Sequence, residues 1–285
     1  MIADTGAPKQ NMKKGFRRPI LFGSSFRPEK GENRMSNAGD VLKAREDFLK
    51  KKPVNLTFLL EKRYGWMNRF IDACWTGIEV GCGPGLSRQY IKCKNFILTD
   101  LSDNYWVEQK VNALKMPFSD SALDFIISSN MIHHLSRPYD FFAESSRVLK
   151  KGGRLIIQEV NCSLLMRMIL KIMRHEGYDY SPDVFNKDSI CNNDADPWSA
   201  NCAIPNLLFD DLNKFESEFS CFKPIYHKYS ECFIFPLSGG VIAKHRTVNL
   251  PKAVLKCLDC LDEALIAVSK GVFPLQRRIV LENIK

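Results

Sequence analysis

Gly77-Ile78-Glu79-Val80-Gly81-Cys82-Gly83-Pro84-Gly85 is the stretch on which the fold of this chain turns. A short apolar run that ends in an acid and gives way to glycine at every second position reads as a buried strand leading into a tight loop. Glycine reaches positive φ there and lets a ligand approach the backbone with no Cβ in the way. The dinucleotide fingerprint G-x-G-x-x-G has another spacing, one that sets a pyrophosphate on a helix N-terminus. The E-x-G-x-G-x-G spacing of this chain suits a ligand with an amino-acid moiety and no phosphate at that turn.

Outward from this stretch the pattern repeats. Gly77–Val80, Asn95–Thr99, Leu123–Ser128 and Arg154–Glu159 are brief, rich in Ile, Leu and Phe, and flanked by turn residues, so they read as buried strands. Their alternation with helical stretches implies a parallel sheet with right-handed crossovers. Asp140–Leu149, closed by Lys150-Lys151-Gly152-Gly153, reads as a helix with cations at its end and glycines beyond it. Upstream, Asp40 is placed to cap a helix through Lys50, and Thr57–Ala73 carries an apolar face of Phe58, Leu59, Leu60, Tyr64, Met67, Phe70 and Ile71. Downstream, Ser163–His175 reads as helical, Tyr178–Asn206 as a long irregular excursion, Phe222–Pro236 as strand-like, Lys252–Lys270 as a helix and Arg277–Glu282 as a last strand.

Three further segments accompany the glycine loop. Asn95-Phe96-Ile97-Leu98-Thr99-Asp100 ends in a carboxylate 21 residues after Glu79, placed to accept two ribose hydroxyls or else to cap the next turn. Asn112-Ala113-Leu114-Lys115-Met116-Pro117-Phe118 and Ser128-Ser129-Asn130-Met131-Ile132-His133-His134-Leu135 follow. Together these residues resemble the class I S-adenosylmethionine-dependent methyltransferases, and within them the type 11 group, over about Glu79–Glu159. The resemblance implies S-adenosylmethionine as cofactor, leaving as S-adenosylhomocysteine. It sets Gly81, Gly83 and Gly85, with Cys82 between them, at the methionine end, Glu79 beneath the loop, Asp100 and Leu101 at the ribose, and Asn112, Ala113 and Asn130 around the rest. The chain departs from the family's D-A-x-x-L-P-F segment at Asn112 and Met116; the Asn112 amide oxygen can still accept from the adenine amino group, and a methionine packs well on a base. The fold so implied is α/β: a Rossmann-like seven-stranded, mostly parallel sheet with helices on both faces, an N-terminal helical cover and an acceptor-side insertion.

Methyl transfer from a sulfonium is an in-line displacement, so the protein aligns the acceptor, excludes water and removes a proton where the acceptor is a hydroxyl. His134 is the first candidate for that base, His133 the second and Glu159 the reserve. Adjacent histidines are expected to point in different directions, and a structural role for the pair stays open. No Asn/Asp-Pro-Pro-aromatic segment follows the fourth strand and no Pro-Cys nucleophile occurs, which disfavours base amines and cytosine carbon as acceptors. O-methylation of a small-molecule or glycan acceptor is the expected activity; a catalytically silent methyltransferase-like binding module and a nicotinamide oxidoreductase are the alternatives. Arg167, Lys171 and Arg174 form a basic stripe suited to an anionic or lipid-linked acceptor, to a membrane surface, or simply to solvent. Trp198, among Asp and Asn, suits a carbohydrate or pins its loop. The whole-chain pattern, including the segments around Arg63–Asn68 and Ser238–Ala243, also resembles a bacterial branch associated with surface-glycan synthesis.

At 285 residues with 45% hydrophobic and 26% charged side chains, the chain can bury a large core. Residues 1–52 hold 13 Lys/Arg against 6 Asp/Glu, so +7 of the formal +9 sits there and nucleic acid is not an expected partner. Residues 1–38 read as a basic, poorly ordered leader and 39–285 as one domain, with a cofactor half at 77–160 and an acceptor-side half at 161–285. No apolar run reaches the roughly 18 residues of a membrane span. A basic N-terminus without an apolar core, together with ten cysteines, suggests thiols in a reducing cytoplasm. Cys257-x-x-Cys260 has half of a zinc spacing and no second pair, so both are expected to be buried thiols and no metal site is expected.

Overall fold

Asp40 accepts a hydrogen bond from Lys43 N at 2.8 Å and so opens α1 (Val41–Lys51). In this computed structural model the described residues are 40–173, 176–193, 196, 198–242 and 245–285; the leader of residues 1–38 lies outside them, as do Arg174, His175, Asp194 and Ala195. The second helix, α2 (Val54–Gly65), starts earlier than the apolar pattern suggested and tightens into a 3-10 turn at Trp66–Arg69. There follow β1 (Thr76–Val80), β2 (Asn95–Asp100), β3 (Gln109–Lys110), β4 (Leu123–Ser129), α3 (Pro138–Val148), β5 (Leu149–Val160) and α4 (Leu164–Met173). The chain ends with α5 (Ile204–Phe209), α6 (Leu212–Glu218), β6 (Phe222–Ser230), α7 (Ile234–Leu237), α8 (Lys252–Val268) and β7 (Gln276–Asn283).

The seven strands form one sheet in the order β3-β2-β1-β4-β5-β7-β6. The pairs from β3 to β5 are parallel, and β7 runs antiparallel to both β5 and β6. Alternation along the strands builds two cores. Ile126, Leu155, Ile157, Ile279 and Leu281 pack with Phe142 of α3, Phe209 of α5 and Phe215 of α6. Phe125, Ile127, Ile156 and Val280 point the other way, onto Phe48 of α1, Leu59 and Leu60 of α2, and Leu255 of α8. The expected Rossmann-like α/β sheet, its helical cover and its helices on both faces are therefore all present, and α4 to α6 form the insertion after the fifth strand.

Some sequence expectations shift, and one strand comes without a sequence signal. Strand β3 is two residues long, too short to carry a period. Lys150–Gly153 belong to β5 instead of a turn after α3, and the pairing with β4 slips there between Leu123 and Phe125. The stretch Phe222–Pro236 is not one strand. Asp262 of α8 accepts hydrogen bonds from Cys232 N, Phe233 N and Ile234 N at 2.8, 2.8 and 3.1 Å, which turns the chain out of the sheet and caps α7 from a distant helix. Cys257 and Cys260 are exposed, not buried, because α8 buries Leu255, Asp262 and Ile266 and leaves the opposite face to solvent. Among the described residues no helix is long and apolar enough to cross a membrane.

Candidate active site

The strand order runs outward from β1 to β3 on one side and from β4 to β5 on the other, so the segments leaving β1 and β4 diverge and open a crevice at the carboxyl end of the sheet. A pocket occupies it. The loop after β1 (Gly81–Pro84) forms one wall, Ser129, Asn130, His133 and His134 after β4 another, and Arg63 and Tyr64 of α2 a third. Met166, Ile169, Leu170 and Met173 of α4 face it, joined by Trp198 and by Phe235, Val241 and Ile242 beyond β6.

The glycine loop is rigidly held. Gly81 has φ 64°, and a Cβ there would meet Met131 Cγ at 2.5 Å; Gly85 has φ 62°, and its Cβ would meet Trp106 Cδ1 at 2.6 Å. Gly83 N donates to Asp100 Oδ2 at 2.9 Å, Trp106 Nε1 donates to Gly83 O at 2.8 Å, and an Arg45 guanidinium nitrogen donates to Pro84 O at 2.6 Å. Burial pushes the Cys82 thiol far up, so it is a small neutral residue in the wall. Glu79 lies under the loop, fully enclosed. Ser87 Oγ donates to its Oε2 and Tyr64 Oη to its Oε1, and burial pushes its carboxyl up to about 8 despite both bonds.

Asp100 stands at the end of β2 and braces the turn that follows: its Oδ1 accepts from Ser102 N and Oγ at 2.9 and 2.8 Å. Leu101 beside it is exposed, Ala113 leans on the sheet core, and the Asn112 amide oxygen is engaged by Leu114 N at 2.9 Å. Asp100, Leu101, Asn112, Ala113 and Gly85 stand outside the lining of the deep pocket, while Gly81, Cys82, Gly83 and Asn130 stand in it. Asn130 has φ 52° and donates its N–H to Gln158 O at 2.7 Å, which turns the chain sharply off β4.

The two histidines converge, against expectation. Ile132–His134 is a 3-10 turn, and the excursion after α4 is stitched to it: Asn201 N and Asn192 Nδ2 donate to His133 O at 2.8 and 2.9 Å. His133 Nδ1 meets Glu159 Oε2 at 2.7 Å and His134 Nδ1 meets Ser199 O at 3.1 Å, with the rings 4.3 Å apart. Their Nε2 atoms then face Glu176 at 3.7 Å (His133) and 4.0 Å (His134). Glu159 is completely buried behind His133 and also accepts Ile132 N and Val160 N, so it positions the turn and does not reach the pocket. Burial disfavours a His133 cation, but the carboxylates of Glu159 and Glu176 outweigh it and raise the group to about 9. Burial and the neighbouring His133 lower His134 to about 4.

Residues that the sequence did not single out as site residues complete the walls. Arg63 is buried and meets Glu231 in a two-pronged ion pair at 2.9 and 2.7 Å. Gln276, also in the pocket wall, accepts from Gln158 Nε2 at 3.0 Å, and Gln158 in turn accepts from Trp66 Nε1 at 3.2 Å. Arg167 does not form a solvent stripe. It turns inward to Cys162 O at 3.0 Å and Tyr180 Oη at 2.9 Å.

Residues 78–157 match the family model described as a methyltransferase domain. That match runs from within β1 to within β5 and includes the glycine loop, Asp100 and both histidines. The chain is 32% identical over 99 residues to ajmaline N-methyltransferase of Rauvolfia serpentina, covering 28% of this chain and 34% of that one. It is 30% identical over 110 residues to a protein of Encephalitozoon cuniculi that bears a methyltransferase name, covering 34% of this chain and 52% of that one. The chain thus spans about a third and about half of the length of these two curated relatives. A similar solved structure is a SAM-dependent methyltransferase from Archaeoglobus fulgidus, at 18% identity and a TM-score of 0.48, covering 79% of this chain and 93% of that one.

Proposed function

We propose that this chain is an S-adenosylmethionine-dependent methyltransferase that acts on a hydroxyl of a small-molecule or glycan acceptor. The observation that carries the reading is the crevice between β1 and β4, with a strained glycine loop on one side and Asp100 at the end of the neighbouring strand. The residues present fit that cofactor. A Cβ on Gly83 would come no nearer to another side chain than 3.7 Å, at Ile242, so the loop's backbone is open on the pocket side. Directly after the loop comes a four-residue 3-10 turn, Leu86–Gln89, which offers no extended helix N-terminus for a pyrophosphate; this weighs against a nicotinamide cofactor.

Bound there, the cofactor supplies an activated methyl group on a sulfonium. The chain's own work is to hold and to exclude. Gly81, Cys82 and Gly83 would cradle the amino-acid end, Asn130 would close the β4 side, Asp100 would accept the ribose hydroxyls in place of its bond from Ser102 Oγ, and Asn112 with Ala113 would border the base. Residues 77–160 then serve the cofactor, and 161–285, together with α2, serve the acceptor. The acceptor wall, with Ile169, Leu170, Met173, Val241 and the ring of Trp198, suits an apolar surface such as the C–H face of a sugar.

Calorimetric titration with S-adenosylmethionine tests the reading, and absence of binding overturns it. Asp100→Ala is expected to weaken that binding by about 1–3 kcal/mol, because charged hydrogen bonds to the ribose disappear and Gly83 N loses its acceptor. An unchanged affinity in a folded Asp100→Ala protein would show that the ribose is held elsewhere.

A further inference from the structure

We propose that His133, His134 and Glu176 form a binding site for one divalent transition-metal ion of the zinc type, at the acceptor side of the pocket. Three features of the cluster carry this. The donor set is two imidazole nitrogens and one carboxylate, a combination that zinc-type ions take in catalytic sites. The three ligand atoms lie within 4.8 Å of one another, with His133 Nε2 at 3.7 Å and His134 Nε2 at 4.0 Å from Glu176 oxygens. Ligands held about 2.0–2.2 Å from a tetrahedral ion stand about 3.4 Å apart, so from a spread of at most 4.8 Å the cluster has to contract by no more than about 1.4 Å, a movement within reach of side-chain rotation.

The third feature is the shell behind the ligands. Each of the three already has an outer partner that fixes its direction. His133 Nδ1 is held by the buried Glu159 carboxylate at 2.7 Å, His134 Nδ1 by the Ser199 carbonyl at 3.1 Å, and Glu176 Oε2 by the Cys202 thiol at 3.2 Å. With each Nδ1 donating, each Nε2 faces Glu176, and a metal ion binding there would displace the proton of the His133 Nε2, the direction in which a histidine binds metal. An ordinary ion pair between a histidine and a glutamate needs neither the second imidazole nor the carbonyl behind it. All three ligands line the pocket, so a fourth position opens toward the acceptor space.

The ligands come from two adjacent residues and a distant third, so no spacing in the sequence announces them. Their convergence depends on the 3-10 turn after β4 and on the bonds from Asn192 and Asn201 that pull the excursion over it. A hydroxyl at the open position would lose its proton to bulk water more readily, leaving an oxygen prepared for attack on a methyl donor. That use rests on the proposed function; the metal site itself does not.

The test is a titration of the chelator-treated full chain with Co(II), followed by visible absorption. About one ion per chain is expected, with d–d bands of a nitrogen and oxygen site, no thiolate-to-cobalt charge transfer, and displacement by Zn(II). Glu176→Gln and His134→Ala should each weaken binding by roughly 100-fold or more, and Glu159→Gln, behind His133, by about 10–100-fold. Circular dichroism verifies folding, and Glu176→Gln, which keeps the side chain's shape, remains decisive should His134→Ala fail to fold. No binding, charge-transfer bands that mark a cysteine site, or unchanged affinity in Glu176→Gln would each overturn the proposal. S-adenosylmethionine calorimetry on the same preparation in chelator separates the outcomes: cofactor binding without metal binding sinks the metal site alone, and metal binding without cofactor binding sinks the proposed function alone.

Discussion

Replacing Arg63 by methionine is expected to lower the stability of this protein by about 3–5 kcal/mol, since it leaves the Glu231 carboxylate buried without its cation. Both side chains are almost fully enclosed, at 5% and 4% exposure, so solvent screening cannot soften the loss. The damage should not come from Arg63 alone. The double change Arg63→Met with Glu231→Gln removes both charges together and should recover more than half of the lost stability, because the desolvated charge is what costs. Urea unfolding of the two single variants and the double variant measures this. A loss below about 1 kcal/mol in Arg63→Met would mean that the pair contributes no more than a surface ion pair. The effect bears on the site, because Arg63 lies in the pocket wall and sits 4.9 Å from the ring of Phe235, another lining residue.

The glycine loop beside the pocket and the strand ends around it were legible in the sequence because their geometry is local. Gly81, Gly83, Gly85 and Asp100 follow short strands whose residues alternate between the two cores, and a motif placed at a strand end inherits its position from the sheet. The opposite walls of the pocket were not legible, for a physical reason visible at single residues. Glu176 meets the histidines where the Asn192 side-chain amide and the Asn201 backbone N–H bind His133 O and hold the excursion over the turn, and Arg63 is fixed in the wall by a partner far along the chain. Asp262 shows the same limit in the fold: nothing between Phe222 and Pro236 reveals that a carboxylate of α8 will end β6. The adjacent histidines converge although a 3-10 turn sets neighbouring side chains about a third of a turn apart, because Glu159 and the Ser199 carbonyl hold the two Nδ1 atoms and leave the rings 4.3 Å from each other.

Glu79 should make the stability of the folded protein fall as the pH rises from about 4.5 toward 8. Its carboxyl is pushed from the ordinary 4.5 up to about 8 by burial. Between these values the folded chain keeps a proton that the unfolded chain has released, so the folded state binds more protons and loses ground with every rise in pH. The contribution is complete below about 4.5 and gone above about 8. At about 1.4 kcal/mol per pK unit it amounts to several kcal/mol at most, an upper figure because the buried carboxyl can draw on Ser87 Oγ and Tyr64 Oη. Glu79→Gln carries no charge and keeps the shape, so the difference in unfolding free energy between it and the natural protein isolates this one group. That difference should change steadily with pH across the window; a flat difference would show that Glu79 is ionised in the folded protein throughout. On the methyltransferase reading, a bound S-adenosylmethionine brings positive charge above the loop and lowers the Glu79 carboxyl again. Its stabilising effect on the natural protein should therefore be larger at pH 8 than at pH 6, and Glu79→Gln should lose that added increment.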